Sequence, residues 1–105
     1  MQHISPKQLA IRLEGDESLT LLDVREPWEF EICHIDGSIL IPMADIPNQL
    51  ERLEKKQPLV VICHHGRRSF EIAAFLEHNG FKNLINLTGG VDAWAMEVDL
   101  DMVKY

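Results

Sequence analysis

The 105-residue chain carries 10 basic and 17 acidic side chains, which gives a formal net charge of −7, and 46% of its residues are hydrophobic. An acidic chain without a basic stripe is unsuited to binding nucleic acid or an anionic membrane surface. No apolar run approaches the roughly 20 residues that span a bilayer, and the first residues lack the basic start of a secretory signal. We therefore expect a single domain, residues 1–105, that stays in the reducing cytoplasm.

Helix caps and short apolar runs alternate along the chain. Ser5, Pro6 and Gln8 form a capping-box signature for a first helix, which Gly15 ends. Four strands are predicted after it, at 19–24, 38–41, 59–63 and 84–87. Helices are predicted between and after them, at 26–32, 46–53, 70–79 and directly after the glycine pair at 89–90. The tail at 97–105 is expected to be irregular and to pack on the surface. This alternation predicts an α/β fold with a mainly parallel central sheet and helices on both faces.

The carboxyl ends of the predicted strands carry the residues most suited to chemistry. Asp23 and Arg25, Cys63, and the Gly89-Gly90 turn all fall at such ends, where α/β sheets place their sites. Cys63 opens the segment Cys63-His64-His65-Gly66-Arg67-Arg68-Ser69. A cysteine on a glycine-containing turn before a helix N-terminus, beside two arginines, is in an environment that favours the thiolate, the nucleophilic form of the side chain. The sequence therefore predicts one reactive sulfur at residue 63.

Together with three other segments, this loop resembles the rhodanese (sulfurtransferase) family over nearly the whole chain. The other segments are Leu22-Asp23-Val24-Arg25-Glu26, His34-Ile35-Asp36-Gly37-Ser38 and Leu87-Thr88-Gly89-Gly90-Val91-Asp92-Ala93-Trp94. The resemblance implies a cysteine that carries sulfane sulfur as a persulfide between a small donor, such as thiosulfate, and a thiol or cyanide acceptor. It also implies that a cysteine desulfurase or a sulfur-carrier protein is a candidate partner, and that no cofactor is needed.

In this chemistry Cys63 is the nucleophile, and the backbone N–H groups of residues 64 to 68 surround the terminal sulfur of its persulfide. We expect Gly66 to adopt the unusual dihedral angles that such a loop requires. We expect the Ser69 hydroxyl to cap the helix that follows.

The charged and imidazole side chains of the loop are expected to have different positions and roles. Arg68, at the end of the loop, should stay close to it, while Arg67 should point outward to meet a donor or partner. His64 and His65 either line the entrance without titrating usefully or assist electrostatically. Adjacent side chains diverge and no fourth ligand is evident, so no metal site is expected.

Three residues outside the loop have two readings each. Asp23 and Arg25 either shape the pocket or tie neighbouring loops together as an ion pair, and structural pairs are the commoner case. Cys33 either resolves the persulfide by forming a disulfide with Cys63 or is a small, partly buried residue at a turn; the second reading is preferred because free cysteine commonly behaves as a small hydrophobe.

Two other functions compete with sulfur transfer to a small acceptor. Cysteine-dependent phosphatases and arsenate reductases use a similar loop, but in phosphatases five residues separate cysteine from arginine, whereas four separate Cys63 from Arg68. The shorter loop suits a single sulfur atom better than a tetrahedral phosphate. The second alternative is a sulfur-relay or carrier role in cofactor or tRNA thiolation, which retains the same cysteine.

Overall fold

The computed structural model describes all residues, 1–105, as a five-stranded sheet flanked by helices. The elements in chain order are β1 (Gln2–Ile4), α1 (Pro6–Glu14), β2 (Thr20–Asp23), α2 (Pro27–Ile32), β3 (Ile39–Leu40), two 3₁₀ segments (Met43–Asn48 and Leu50–Arg52), β4 (Leu59–Ile62), α3 (Arg67–His78), β5 (Leu84–Leu87) and α4 (Gly90–Glu97). The strand order is β1-β5-β4-β2-β3 and every pairing is parallel. The predicted fold class is therefore confirmed. No helix is both long and apolar enough to cross a membrane.

The central strand β4 separates two hydrophobic cores. Leu59, Val61 and Cys63 contribute to the core under α3 and the 3₁₀ segments, whereas Val60 and Ile62 contribute to the core under α1 and α4. This alternation follows from the two-residue period of a strand. Because both faces are covered, the strand is apolar throughout, as parallel sheets require.

Two elements differ in kind from the prediction. The structure has an additional edge strand, β1, which pairs with β5, although its three residues carry no distinct strand pattern. The helix predicted at 46–53 is instead the pair of 3₁₀ segments, with Pro47 inside the first of them. Proline lacks the N–H that an α-helix needs and disfavours the α conformation in the residue before it, so the chain forms short turns here.

The first helix begins as predicted. The Ser5 hydroxyl accepts the N–H of Gln8, and the Gln8 side chain accepts the N–H of Ser5, which completes the capping box. The helix after β4 begins at Arg67, three residues earlier than predicted. That earlier start brings Arg67, Arg68 and Ser69 into the first turn of α3.

Candidate active site

Cys63 lies directly after β4, at the edge where the neighbouring strands β2 and β5 also end. Its side chain is almost wholly covered. Its Sγ accepts the backbone N–H of Gly66 at 3.0 Å and donates to the Ser69 hydroxyl oxygen at 3.3 Å. Cys63 also lines an open depression of about 270 Å³, together with His64, His65, Arg67 and Arg68. The depression is therefore a side from which a reactant can approach Cys63.

The backbone of the loop turns around the sulfur at Gly66. This residue has φ of +99°, a region that residues other than glycine rarely adopt, so the predicted unusual dihedral angle is confirmed. The N–H groups of residues 65, 67 and 68 donate to no backbone carbonyl, as expected for the first turn of a helix. Such unused donors at a helix N-terminus favour a bound anion.

The loop is held in place from the opposite side by the start of α4. The N–H of Val91 donates to the Cys63 carbonyl at 2.9 Å, and the N–H of Asp92 donates to the His64 carbonyl at 3.0 Å. Gly90 lies so close to these carbonyls that an added Cβ would overlap the backbone of Cys63 and His64. The glycine turn after β5 thus allows two loops to pack backbone against backbone.

Arg68 lines the depression, but its charge is committed to Glu29. The two residues form a bidentate pair, with Nη1 to Oε1 at 2.7 Å and Nη2 to Oε2 at 2.9 Å. This pair holds the pKa of the buried Glu29 carboxyl down to about 2, against the effect of burial. Arg67 is exposed, as predicted, and forms no ion pair. Arg67 is therefore the arginine whose charge is available to an incoming anion.

The Glu29–Arg68 pair predicts how stability depends on acid. Because the pKa of Glu29 falls from 4.5 to about 2 on folding, the pair stabilises the protein fully above pH 4.5 and loses this effect as the pH falls toward 2. The difference corresponds to roughly 3 kcal/mol. Urea unfolding of Glu29→Gln should give a free energy of unfolding well below that of the wild type at pH 7, with the two values converging as the pH approaches 2. A difference that is constant over this range would contradict the assignment.

Asp23 and Arg25 form a fully buried ion pair that does not line the depression. Arg25 Nη2 lies 2.7 Å from Asp23 Oδ2, and both side chains are 0% exposed. The same guanidinium donates to the carbonyl oxygens of Glu29 and Cys33. The ion-pair reading is confirmed. Direct contact with the pocket is not observed: the guanidinium donates to Asp23, to two carbonyl oxygens of the segment that begins with α2 and to the Tyr105 hydroxyl.

Tyr105 connects this buried pair to the loop. Its hydroxyl accepts from Arg25 Nη1 at 2.8 Å and donates to Glu29 Oε2 at 2.7 Å. Burial, with a contribution from Glu29, raises the pKa of Tyr105 to about 12, so the hydroxyl stays protonated at neutral pH. Its ring stacks on His64, with centroids 3.9 Å apart and planes within 7°. The tail does pack on the surface, as predicted, and the Tyr105 ring within it also covers one face of His64.

The two histidines of the loop differ in their surroundings. His64 is half-buried, and burial followed by the proximity of His65 lowers its pKa, which favours the neutral imidazole. His65 is exposed, and its Nδ1 lies 3.8 Å from Asp92 Oδ2. Both line the depression, which agrees with the prediction that they border the entrance.

Ser69 does not cap α3, contrary to the prediction. Gly66 occupies the cap position, and Ser69 lies inside the helix with its side chain fully buried. Its hydroxyl accepts from Cys63 and donates to Asn86 Oδ1 of β5 at 2.5 Å. The early start of α3 moves Ser69 beyond the cap and turns it toward the sulfur.

Cys33 and Cys63 pack against different cores. Cys33 is half-buried and packs against the core under α1 and α4, while Cys63 belongs to the core under α3. Both are free thiols. The expected partial burial of Cys33 is confirmed.

Three residues that contact the site were not predicted from the sequence to belong to it: Glu29, Asn86 and Tyr105. Glu29 and Tyr105 reach the loop from segments 39 and more residues away, so no local pattern indicates them. Asn86 had a weak signal, because it is the single polar residue in the apolar strand Leu84–Leu87.

Comparisons with known proteins agree with this geometry. A family model described as a rhodanese-like domain matches residues 5–97. The putative sulfurtransferase YtwF of Bacillus subtilis is 39% identical over 92% of this chain and 93% of its own length. The probable adenylyltransferase/sulfurtransferase MoeZ of Mycobacterium tuberculosis is 39% identical over 97% of this chain, which spans only 26% of that longer protein. The crystal structure of a rhodanese-like domain protein from Staphylococcus aureus superposes with a TM-score of 0.85, at 32% identity, over 90% of this chain and 91% of that one.

Proposed function

Because the chain belongs to the family of rhodanese-like domains, we propose that it is a sulfurtransferase that moves sulfane sulfur from a donor such as thiosulfate to a thiophilic acceptor through a persulfide on Cys63. The observation that carries the proposal is the position of Cys63 at the base of a depression lined by cationic and imidazole side chains. The similarity to the putative sulfurtransferase YtwF, over nearly the full length of that protein, supports the same reaction class.

The reaction has two displacement steps. After the Cys63 thiol has lost its proton to solvent, the thiolate electron pair forms a bond to the sulfane sulfur of thiosulfate. The sulfur–sulfur bond of the donor breaks, and sulfite leaves with the bonding electrons. Cyanide or an acceptor thiolate then attacks the outer sulfur of the persulfide, and Cys63 leaves as thiolate.

The chain supplies groups suited to both steps. Arg67 offers an unpaired positive charge to the anionic donor. The Gly66 N–H donates to the Cys63 sulfur, and the unused N–H groups of residues 65, 67 and 68 are further donors that would stabilise the negative charge on the outer sulfur. Because Cys63 is buried, only slender nucleophiles can reach its sulfur, and this suits the transfer of a single atom.

Intact-mass measurement tests the proposal. Incubation with thiosulfate should add the mass of one sulfur atom to the protein, and cyanide should remove it. Cys63→Ser should abolish the adduct, whereas Cys33→Ser should retain it because the two thiols pack against different cores. An adduct that persists in Cys63→Ser, or that is lost in Cys33→Ser, would contradict the proposal. Turnover of p-nitrophenyl phosphate or arsenate would favour the phosphatase or reductase alternative.

A sulfur-relay role with protein partners is the second candidate. The similarity to MoeZ over 97% of this chain favours it, since that relative is a longer protein that carries the sulfurtransferase name alongside a second activity. A cysteine desulfurase as donor and a sulfur-carrier protein as acceptor are the matching partners. The test compares the single-turnover rates at which the two donors load Cys63. A much faster rate with a desulfurase persulfide than with thiosulfate would favour the relay role. A faster rate with thiosulfate would favour the small donor.

A further inference from the structure

Three rings from two distant parts of the chain are stacked beside the depression at Cys63. The Tyr105 and His64 rings have centroids 3.9 Å apart and planes within 7°. The His64 and His65 rings also have centroids 3.9 Å apart, with planes at 31°. Two rings this close to a third cannot share one of its faces, because their atoms would overlap. Tyr105 and His65 therefore cover opposite faces of His64.

The Tyr105 ring is held in place by residues outside the loop. Its hydroxyl accepts from Arg25 Nη1 at 2.8 Å and donates to Glu29 Oε2 at 2.7 Å. Arg25 and Glu29 are 0% and 3% exposed, and each is fixed by an ion pair of its own. The Trp28 ring packs edge-on against the Tyr105 ring, with centroids 5.9 Å apart. The position of Tyr105 is therefore set by the fold and not by the loop.

The stack in turn restricts the two imidazoles, which both line the depression. The His65 side chain is 66% exposed, and its Nδ1 lies 3.8 Å from Asp92 Oδ2, beyond hydrogen-bond distance. Stacking on His64 is therefore the contact that restricts this ring. Without Tyr105, one face of His64 would be uncovered, and both imidazoles could adopt other rotamers. A side chain that has to be ordered when a ligand binds lowers the affinity for that ligand.

We propose that Tyr105 is a positioning residue for the binding of the sulfur donor: through the ring stack, it fixes His64 and His65 as one wall of the depression. Each imidazole carries an N–H that would donate to an oxygen of thiosulfate. Tyr105 does not itself line the depression, so it acts through His64. The inference rests on the proposed function, because it concerns the step in which the donor binds beside Cys63.

The test measures how the rate of sulfur loading on Cys63 depends on thiosulfate concentration, in single turnovers with intact mass as the readout. Tyr105→Leu removes the ring and the hydroxyl but keeps an apolar side chain. It should raise the half-saturating thiosulfate concentration roughly three- to tenfold, because the imidazoles must then be ordered on binding. The maximal loading rate should change by less than about twofold, since only binding is affected. Tyr105→Met should do the same if the leucine variant folds poorly.

Tyr105→Phe is the conservative variant that separates the ring from the hydroxyl. It removes the hydroxyl, but Arg25 and Glu29 each keep the partner of their own ion pair. The phenyl ring can still stack on His64, so the half-saturating concentration should stay within about twofold of the wild-type value. Val103→Ala is the control for the tail, because the Val103 side chain is 60% exposed and carries no ring. It should leave both quantities unchanged.

A double-mutant cycle decides whether His64 transmits the effect. In a His64→Ala background, Tyr105→Leu should add nothing to the half-saturating concentration. The proposal would be overturned by a rise that persists in this background, by an equal rise in Tyr105→Phe or Val103→Ala, or by a change confined to the maximal rate.

Failure of this inference is distinguishable from failure of the proposed function. A wild-type protein that takes up no sulfur from thiosulfate would overturn both. A wild-type protein that loads normally, beside a Tyr105→Leu variant with the same half-saturating concentration, would overturn the positioning role alone.

Discussion

Replacing Gly90 by alanine is expected to destabilise the protein by about 3 kcal/mol or more, because two penalties combine at this position. The backbone has φ of +59°, which costs an L-residue roughly 1–2 kcal/mol. The new Cβ would also lie 2.5 Å from the carbonyl carbon and oxygen of His64 and closer still to the carbonyl oxygen of Cys63. Relieving this overlap must separate α4 from the loop, and overpacking of this kind typically costs a further 1–3 kcal/mol.

Gly37 provides a matched control. Its φ is +85°, but an added Cβ would meet nothing within 4 Å. Gly37→Ala should therefore show only the conformational penalty, roughly 1–2 kcal/mol. Urea unfolding of the two variants, with the alkylation rate of Cys63 as a local readout, separates the effects. Equal losses of stability in both variants would show that the close approach of the two loops is unimportant.

The second large effect is expected at the buried ion pair. Asp23→Asn leaves the Arg25 guanidinium buried without its counter-charge, and breaking such a pair from one side typically costs about 3–5 kcal/mol. The loss should extend to the site, because Arg25 also positions the Tyr105 hydroxyl. We expect a lower urea midpoint and a weaker contact between the Tyr105 ring and His64, measurable through the chemical shifts of the His64 ring.

The exposed pair between Arg12 and Glu17 is the control for this substitution. It is also a carboxylate–guanidinium pair, but both side chains are partly exposed, Arg12 at 27% and Glu17 at 41%. Glu17→Gln should leave the urea midpoint close to that of the wild type, because water replaces the lost partner. If Asp23→Asn were equally mild, the buried pair would contribute little to the fold.

The order of elements and the position of Cys63 could be predicted because the signals are local. The apolar run Leu59–Ile62 marks the central strand, and the capping box at Ser5 and Gln8 marks α1. Both depend on residues within a few positions of one another. The location of Cys63 at the carboxyl edge of the sheet then follows from the rule for parallel sheets.

The remainder of the site could not be predicted because it depends on contacts between distant segments. Glu29 is 39 residues from Arg68, and Tyr105 is 76 residues from Glu29. From the sequence, Arg68 is a cation near the sulfur with no evident partner. In the fold, the Glu29 carboxylate of α2 pairs with it. Ser69 illustrates the same limit at short range, since a three-residue shift in the start of α3 changes its partner from the helix backbone to Cys63 and Asn86.

The two hydrogen bonds from the start of α4 to the loop make the loop observable by NMR. The amide protons of Val91 and Asp92 are held by the carbonyl oxygens of Cys63 and His64. Their exchange with deuterated solvent therefore reports the opening of that junction and not the titration of a side chain. Spectra of the loaded and unloaded protein would then reveal, at two backbone positions, whether the loop moves when the sulfur atom arrives.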